Sequence, residues 1–97
     1  MPVTIKHYSI TQVNKHKMYF VYIIYDKYIS WEFCMEILTR VFHKNSEKAD
    51  KIANDIINEG EGLCGVYMLE IADSKATLVE ELAKKEGYSM KCLVEEV

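Results

Sequence analysis

Residues 18–25 read Met18-Tyr19-Phe20-Val21-Tyr22-Ile23-Ile24-Tyr25. After Met18 every side chain is aromatic or β-branched, the types that pack best on a pleated backbone. The run has the length of a strand, and both of its faces are apolar, which predicts a central position in a sheet. Asp26-Lys27-Tyr28-Ile29 then breaks the pattern as a turn. Ser30 has the chemistry of an N-cap, because its hydroxyl can accept a free N–H of a first helical turn. From Trp31 to about Phe42, apolar residues recur at Trp31, Cys34, Ile37, Leu38, Val41 and Phe42, the spacing of a helix with one buried face.

Working outward, His43-Lys44-Asn45 is a short connection, and Ser46 is expected to cap a second helix reaching about Glu59. Its inward stripe is Ala49, Ile52, Ala53 and Ile56, and Gly60 past its end suits a left-handed cap. Leu63 to Leu69 reads as a second strand, whose neighbouring glycines imply a tight turn or close backbone approach. Asp73 or Ser74 is expected to open a third helix, with apolar positions at Ala76, Leu78, Val79, Leu82 and Ala83, and Gly87 ends it. In the last strand, Tyr88 to Val94, Met90, Cys92 and Val94 alternate with polar neighbours. Residues 1–17 hold no sustained period and read as a flexible N-terminal arm, which leaves 18–97 as the folded domain. The predicted fold class is α+β: one small domain of order β-α-α-β-α-β, a three-stranded sheet with helices packed on one face.

Composition narrows the functions. A chain of 97 residues with 49 % apolar and 28 % charged residues has room for one core, burying about 60–70 % of its unfolded surface without needing disulfides or metal. A net charge of −3 with scattered lysines leaves no basic stripe to neutralise phosphates, so nucleic acid is not an expected partner. No run approaches a membrane span, and Met1 to His7 does not have the pattern of a signal peptide, so a cytoplasmic location is expected. Cys34, Cys64 and Cys92 lie far apart in apolar stretches, as buried free thiols in a reducing compartment do. His7, His16 and His43 stand at no metal-ligand spacing, and no cofactor or metal is expected. Glu80, Glu81, Glu86, Glu95 and Glu96, interleaved with Lys75, Lys84 and Lys85, read as a solvated face and not an acid–base pair. Nothing in the chain reads as catalytic machinery.

Two stretches carry a resemblance. Tyr19 to Tyr28 followed by Trp31-Glu32-Phe33, and Gly60-Glu61-Gly62-Leu63-Cys64-Gly65-Val66-Tyr67 followed by Glu70-Ile71-Ala72-Asp73-Ser74-Lys75, resemble the two sequence blocks of the ClpS family, adaptors of the bacterial Clp protease. The second block matches closely, while the first departs from the pattern. The resemblance implies an adaptor that docks on the N-terminal domain of the AAA+ unfoldase ClpA. Such adaptors hold proteins whose first residue is large and hydrophobic and pass them on for N-end rule degradation. It also implies a monomer that works without catalysis.

Carried over residue by residue, the resemblance places unfoldase docking on Glu70 and Lys75. A cation in the first turn of the third helix opposes the helix dipole, which suggests work at an interface. The resemblance places a substrate pocket on Tyr25, Asp26, Ile29, Trp31, Cys34, Ala53, Ile56 and Ile57. There the family holds the substrate's α-amine with Asn, Asp and His. This sequence has Tyr25 for the Asn and Ile57 for the His and keeps only Asp26, and it has Lys27 for a second Asp. The gate is Trp31 in place of Met, the Thr is Ile29, and the floor Met is Ala53. An ammonium without acceptors in a closed pocket costs several kcal/mol, on the order of that for any unpaired buried polar group. The pocket is therefore expected to be either filled or reshaped. Three readings follow: an adaptor with altered recognition, a regulator that occupies the unfoldase without delivering cargo, and, from another class, a small metal-dependent or thiol enzyme.

Overall fold

The computed structural model describes residues 17–25 and 29–97. The chain runs β1 (Tyr19–Tyr25), α1 (Trp31–Arg40), α2 (Ser46–Glu59), β2 (Glu61–Tyr67), α3 (Leu69–Lys85) and β3 (Met90–Glu96). The strands form one antiparallel sheet in the order β2-β1-β3, with the apolar run of β1 in the centre. The α+β class, the element order and the central strand are as the sequence predicts.

Tyr19, Val21 and Ile23 of β1 share the buried side with Met90, Cys92 and Val94 of β3 and with Cys64 of β2. The helices cover that side through Cys34, Ile37 and Leu38 of α1, Ala49, Ala53 and Ile56 of α2, and Ala72, Ala76, Val79 and Ala83 of α3. Burying a large aliphatic side chain from this set contributes about 1.5–3 kcal/mol. The alternate residues Phe20, Tyr22 and Ile24 stay partly exposed, so the second apolar face of β1 is open. At the shift of register between Val21 and Tyr22, Val21 faces Gly65 while Tyr22 faces Leu63, which leaves Cys64 as an extra residue of β2.

Boundaries follow hydrogen bonding more closely than hydropathy. Ser30 caps α1 as expected, accepting from the Phe33 N–H at 3.0 Å. α1 ends at Arg40, and Val41 and Phe42 stay buried beyond it. The cap of α2 is Asn45, not Ser46: its side chain accepts from the Lys48 N–H at 2.9 Å. Gly60 closes α2 in the left-handed region, at φ 87°. α3 begins at Leu69, well before Asp73, because Met68 is already extended and its carbonyl accepts from Ala72. The second strand is consequently shorter at its end than predicted, and the last strand starts at Met90, leaving Tyr88 to stack its ring on Phe33 at 4.7 Å. Leu78 is not a core position: it is 44 % exposed.

Glu80 departs from the solvated-face expectation. It is 8 % exposed, and its carboxylate accepts from the Cys92 N–H at 2.8 Å. α3 thereby meets a backbone donor of strand β3 with a charge-assisted bond. Of the predicted arm, residues 1–16 lie outside the described residues, and Lys17 pairs with Glu96 at the end of β3.

Candidate functional site

The described residues that the resemblance assigns to a pocket lie where β1 ends, along α1 with the stretch before it, and in the second half of α2. Cys34, Ala53 and Ile56 are fully buried and Ile29 is 9 % exposed, and all four belong to the hydrophobic core. Asp26, Lys27 and Tyr28 lie outside the described residues. Trp31, in the first turn of α1, is 41 % exposed. Helical spacing puts Trp31 on the buried face of α1, but as the first helical residue it has no preceding turn to pack beneath.

Tyr25 is the residue that sequence reasoning undervalued. Its hydroxyl donates to the Ile57 carbonyl at 2.8 Å, and its backbone N–H donates to the Gly60 carbonyl at 3.1 Å. The last four carbonyls of a helix have no intrahelical donor, and Tyr25 supplies one to α2. The two positions where the family pattern has Asn and His are thus bonded to each other. The Tyr25 ring and the Ile57 side chain are both partly buried against the core.

Glu70 and Lys75 have different environments. Glu70 is exposed in the first turn of α3, where a carboxylate suits the dipole, and it has no ion pair among the described residues. Because α3 starts at Leu69, Lys75 stands in its second turn, so the electrostatic objection to a cation there falls away. Its ammonium donates to the Val41 carbonyl at 2.6 Å, at the C-terminal end of α1, and lies 5.2 Å from the centre of the Tyr67 ring and 5.9 Å from that of Phe42. A cation at a helix C-terminus and over aromatic faces is favourable on both counts. Lys75 therefore has a local structural role, contrary to the expectation that nothing nearby explains it.

The second block also has a packing logic. A Cβ on Gly65 would stand 2.5–2.7 Å from atoms of the Tyr67 ring, and one on Gly62 would stand 2.8 Å from Ile56. The bare backbone at 65 lets the Tyr67 ring fold back over its own strand, where it presents a face to Lys75. A separate groove of about 170 Å³ lies between α1 and α3, lined by Phe33, Ile37 and Leu82 with Glu36, Arg40, Lys85 and Glu86 at its rim. Sequence patterning gave no signal for it.

The three thiols are buried and free. Burial pushes Cys34 up to about 11 and raises Cys64 and Cys92 further, the opposite of an activated nucleophile. Among the described residues no group of three or more His, Cys, Asp or Glu side chains converges as a metal site. No helix among them is long and apolar enough to cross a membrane.

A model of the family described as "ATP-dependent Clp protease adaptor protein ClpS" matches residues 14–93. The ClpS adapter protein of Neisseria meningitidis is 46 % identical over 81 residues, 84 % of this chain and 79 % of its own. That of Nitratidesulfovibrio vulgaris is 42 % identical over 85 residues, 88 % of this chain and 82 % of its own. The structure of Agrobacterium tumefaciens ClpS2 bound to L-phenylalaninamide superposes with a TM-score of 0.77 at 25 % identity, covering 84 % of this chain and 98 % of that one. Sequence and backbone agree over the same span, and the chain belongs to the ClpS family of adaptors of the ATP-dependent Clp protease.

Proposed function

We propose that this protein docks on the N-terminal domain of a ClpA-type AAA+ unfoldase in the cytoplasm as a non-catalytic monomer. Its site for substrate α-amines is closed to the ordinary family ligand, a large hydrophobic first residue. The observation that carries the second statement is the Tyr25 hydroxyl bonded to the Ile57 carbonyl, in the place where two amine acceptors are expected. The bond uses the Tyr25 proton and one lone pair of the Ile57 carbonyl, and it fixes the tyrosine ring where the family's smaller Asn would stand. Cys34, Ala53 and Ile56 are buried and apolar, as a pocket wall requires, and on this reading the retained Asp26 alone does not hold the amine.

This arrangement favours the regulator reading beside that of an adaptor with changed specificity: a chain that still docks but holds no cargo occupies the unfoldase. Degradation assays with a ClpA-type unfoldase and its peptidase separate the two. Stimulated breakdown of any substrate supports an adaptor with changed specificity, and inhibition of every substrate supports a regulator. Amine-dependent binding of L-phenylalaninamide, the ligand held by the Agrobacterium tumefaciens relative, would contradict the closed-site reading.

A further inference from the structure

Both faces of β1 are apolar, and the helices cover only one. On the other, the register sets Phe20 between Val66 and Glu95, Tyr22 between Leu63 and Leu93, and Ile24 between Glu61 and Lys91. Leu63 and Val66 are each 41 % exposed, and Phe20, Tyr22, Ile24 and Leu93 are half-buried. The Phe20 and Tyr22 rings stand 6.0 Å apart. Six apolar side chains thus make one continuous surface, with two carboxylates and one ammonium at its corners. Three paired strands of 7 residues present a face of about 24 Å by 14 Å, or about 340 Å². A stable dimer buries about 800 Å² on each partner, so this face is too small to hold a second copy by itself. It is the size of surface that a single extended segment covers.

We propose that residues 3–15 of this chain turn back over the open face of the sheet and cover its apolar surface. The 16 residues before Lys17, outside the described residues, join the sheet beside that surface. Met18, at the join, is 39 % exposed, and its carbonyl accepts from the Val97 N–H at 2.9 Å. An extended stretch of 16 residues reaches about 50 Å, twice what a reversal and one pass along β1 require. The stretch contains Val3, Ile5, Tyr8, Ile10 and Val13 as apolar side chains. Its charges complement the face: it has Lys6 and Lys15 and no Asp or Glu, while Glu61 and Glu95 have no ion pair among the described residues. The next cation, Lys17, already pairs with Glu96 of β3. Tethering gives such a segment an effective concentration of about millimolar, so weak contacts suffice to hold it. The cover lies on the side of the sheet away from the helices and leaves α3 and the pocket residues untouched.

The test places a nitroxide on Ser9→Cys in the isotope-labelled full chain and reads amide signals by nuclear magnetic resonance. The three native thiols are buried and stay unlabelled. The signals of Tyr22, Leu63 and Leu93 are expected to lose most of their intensity, while those of Ile52 and Leu82, on the helical side, keep theirs. Ile5→Ser with Ile10→Ser, which alters no described residue, is expected to restore the lost signals. Lys6→Glu with Lys15→Glu is expected to restore them in part, as like charges then meet at the corners of the face. Leu93→Lys, with the fold retained, is expected to act as the paired serine variant does. Equal loss over the whole surface, no loss at the sheet, or no recovery with either pair of changes would overturn the proposal. So would loss at the sheet when the nitroxide sits on an unlabelled chain mixed with the isotope-labelled one, a result that assigns the face to a second copy.

Discussion

Rebuilding the amine site by Tyr25→Asn with Ile57→His tests the proposal that these two positions close the pocket. The cost to the fold can be worked out first. The hydrogen bond from the Tyr25 hydroxyl to the Ile57 carbonyl is removed, a loss of about 1 kcal/mol. A half-buried tyrosine ring gives up about another 1 kcal/mol of burial. A domain of this size has about 5–15 kcal/mol to lose, so the double variant still folds, with a midpoint lowered by about 10 °C. The gain is two acceptors for an ammonium beside the apolar wall of Cys34, Ala53 and Ile56. Each charge-assisted bond contributes about 1.5–3 kcal/mol, so binding should tighten by about 10²–10⁴-fold. The assay is calorimetric titration with L-phenylalaninamide and with a peptide beginning in Phe, each against its N-acetylated form. The wild type is expected to show no amine-dependent binding and the folded double variant to show it. Amine-dependent micromolar binding by the wild type, or a folded double variant no better than wild type, would refute the reasoning.

Other perturbations probe the scaffold and the thiols. Gly65→Ala forces a methyl group into the Tyr67 ring and is expected to cost about 1–3 kcal/mol in urea unfolding, with Gly65→Ala/Tyr67→Leu recovering part of it. Glu80→Ala removes the acceptor of the buried Cys92 N–H and should destabilise by about 1–3 kcal/mol, as unpaired buried donors do; a change within experimental error would mean that the carboxylate is dispensable. Cys34 is pushed up to about 11 in the fold from an ordinary 9, so folded and unfolded states bind the same protons well below pH 9. Above that the unfolded chain loses its proton first, so stability falls as pH rises through 9 toward 11 and is unaffected by the thiols near neutrality. Denaturation midpoints across that range, compared with Cys34→Ala, check the sign.

The order of elements was legible because each strand and helix carries its own period and its own stop. The apolar run of β1, the Ser30 cap and the two glycines at 60 and 87 sit in the structure as the sequence implies. Alternation at Met90, Cys92 and Val94 gave the buried side of β3 correctly. Three of the misreadings share a cause, which is that long-range partners leave no local trace. Glu80 looked like a surface acid until the Cys92 N–H was brought beneath it. Lys75 looks unfavourable in the sequence because the expected start of α3 falls four or five residues late and because its acceptor, Val41, lies 34 positions away. The bond between Tyr25 and Ile57 spans 32 positions and uses a carbonyl, which every residue has. Substitution at those two positions was visible in the sequence, but whether it filled the site or enlarged it was not.

Docking is the claim on which the other readings depend, and sedimentation velocity of the labelled chain with a ClpA-type hexamer, held in a non-hydrolysable ATP analogue, tests it most directly. The chain is expected to move with the ring at micromolar concentration, and Glu70→Lys is expected to leave it sedimenting alone. A wild-type chain that stays at its free boundary while a ClpS adaptor from Neisseria meningitidis moves with the same ring would contradict the account.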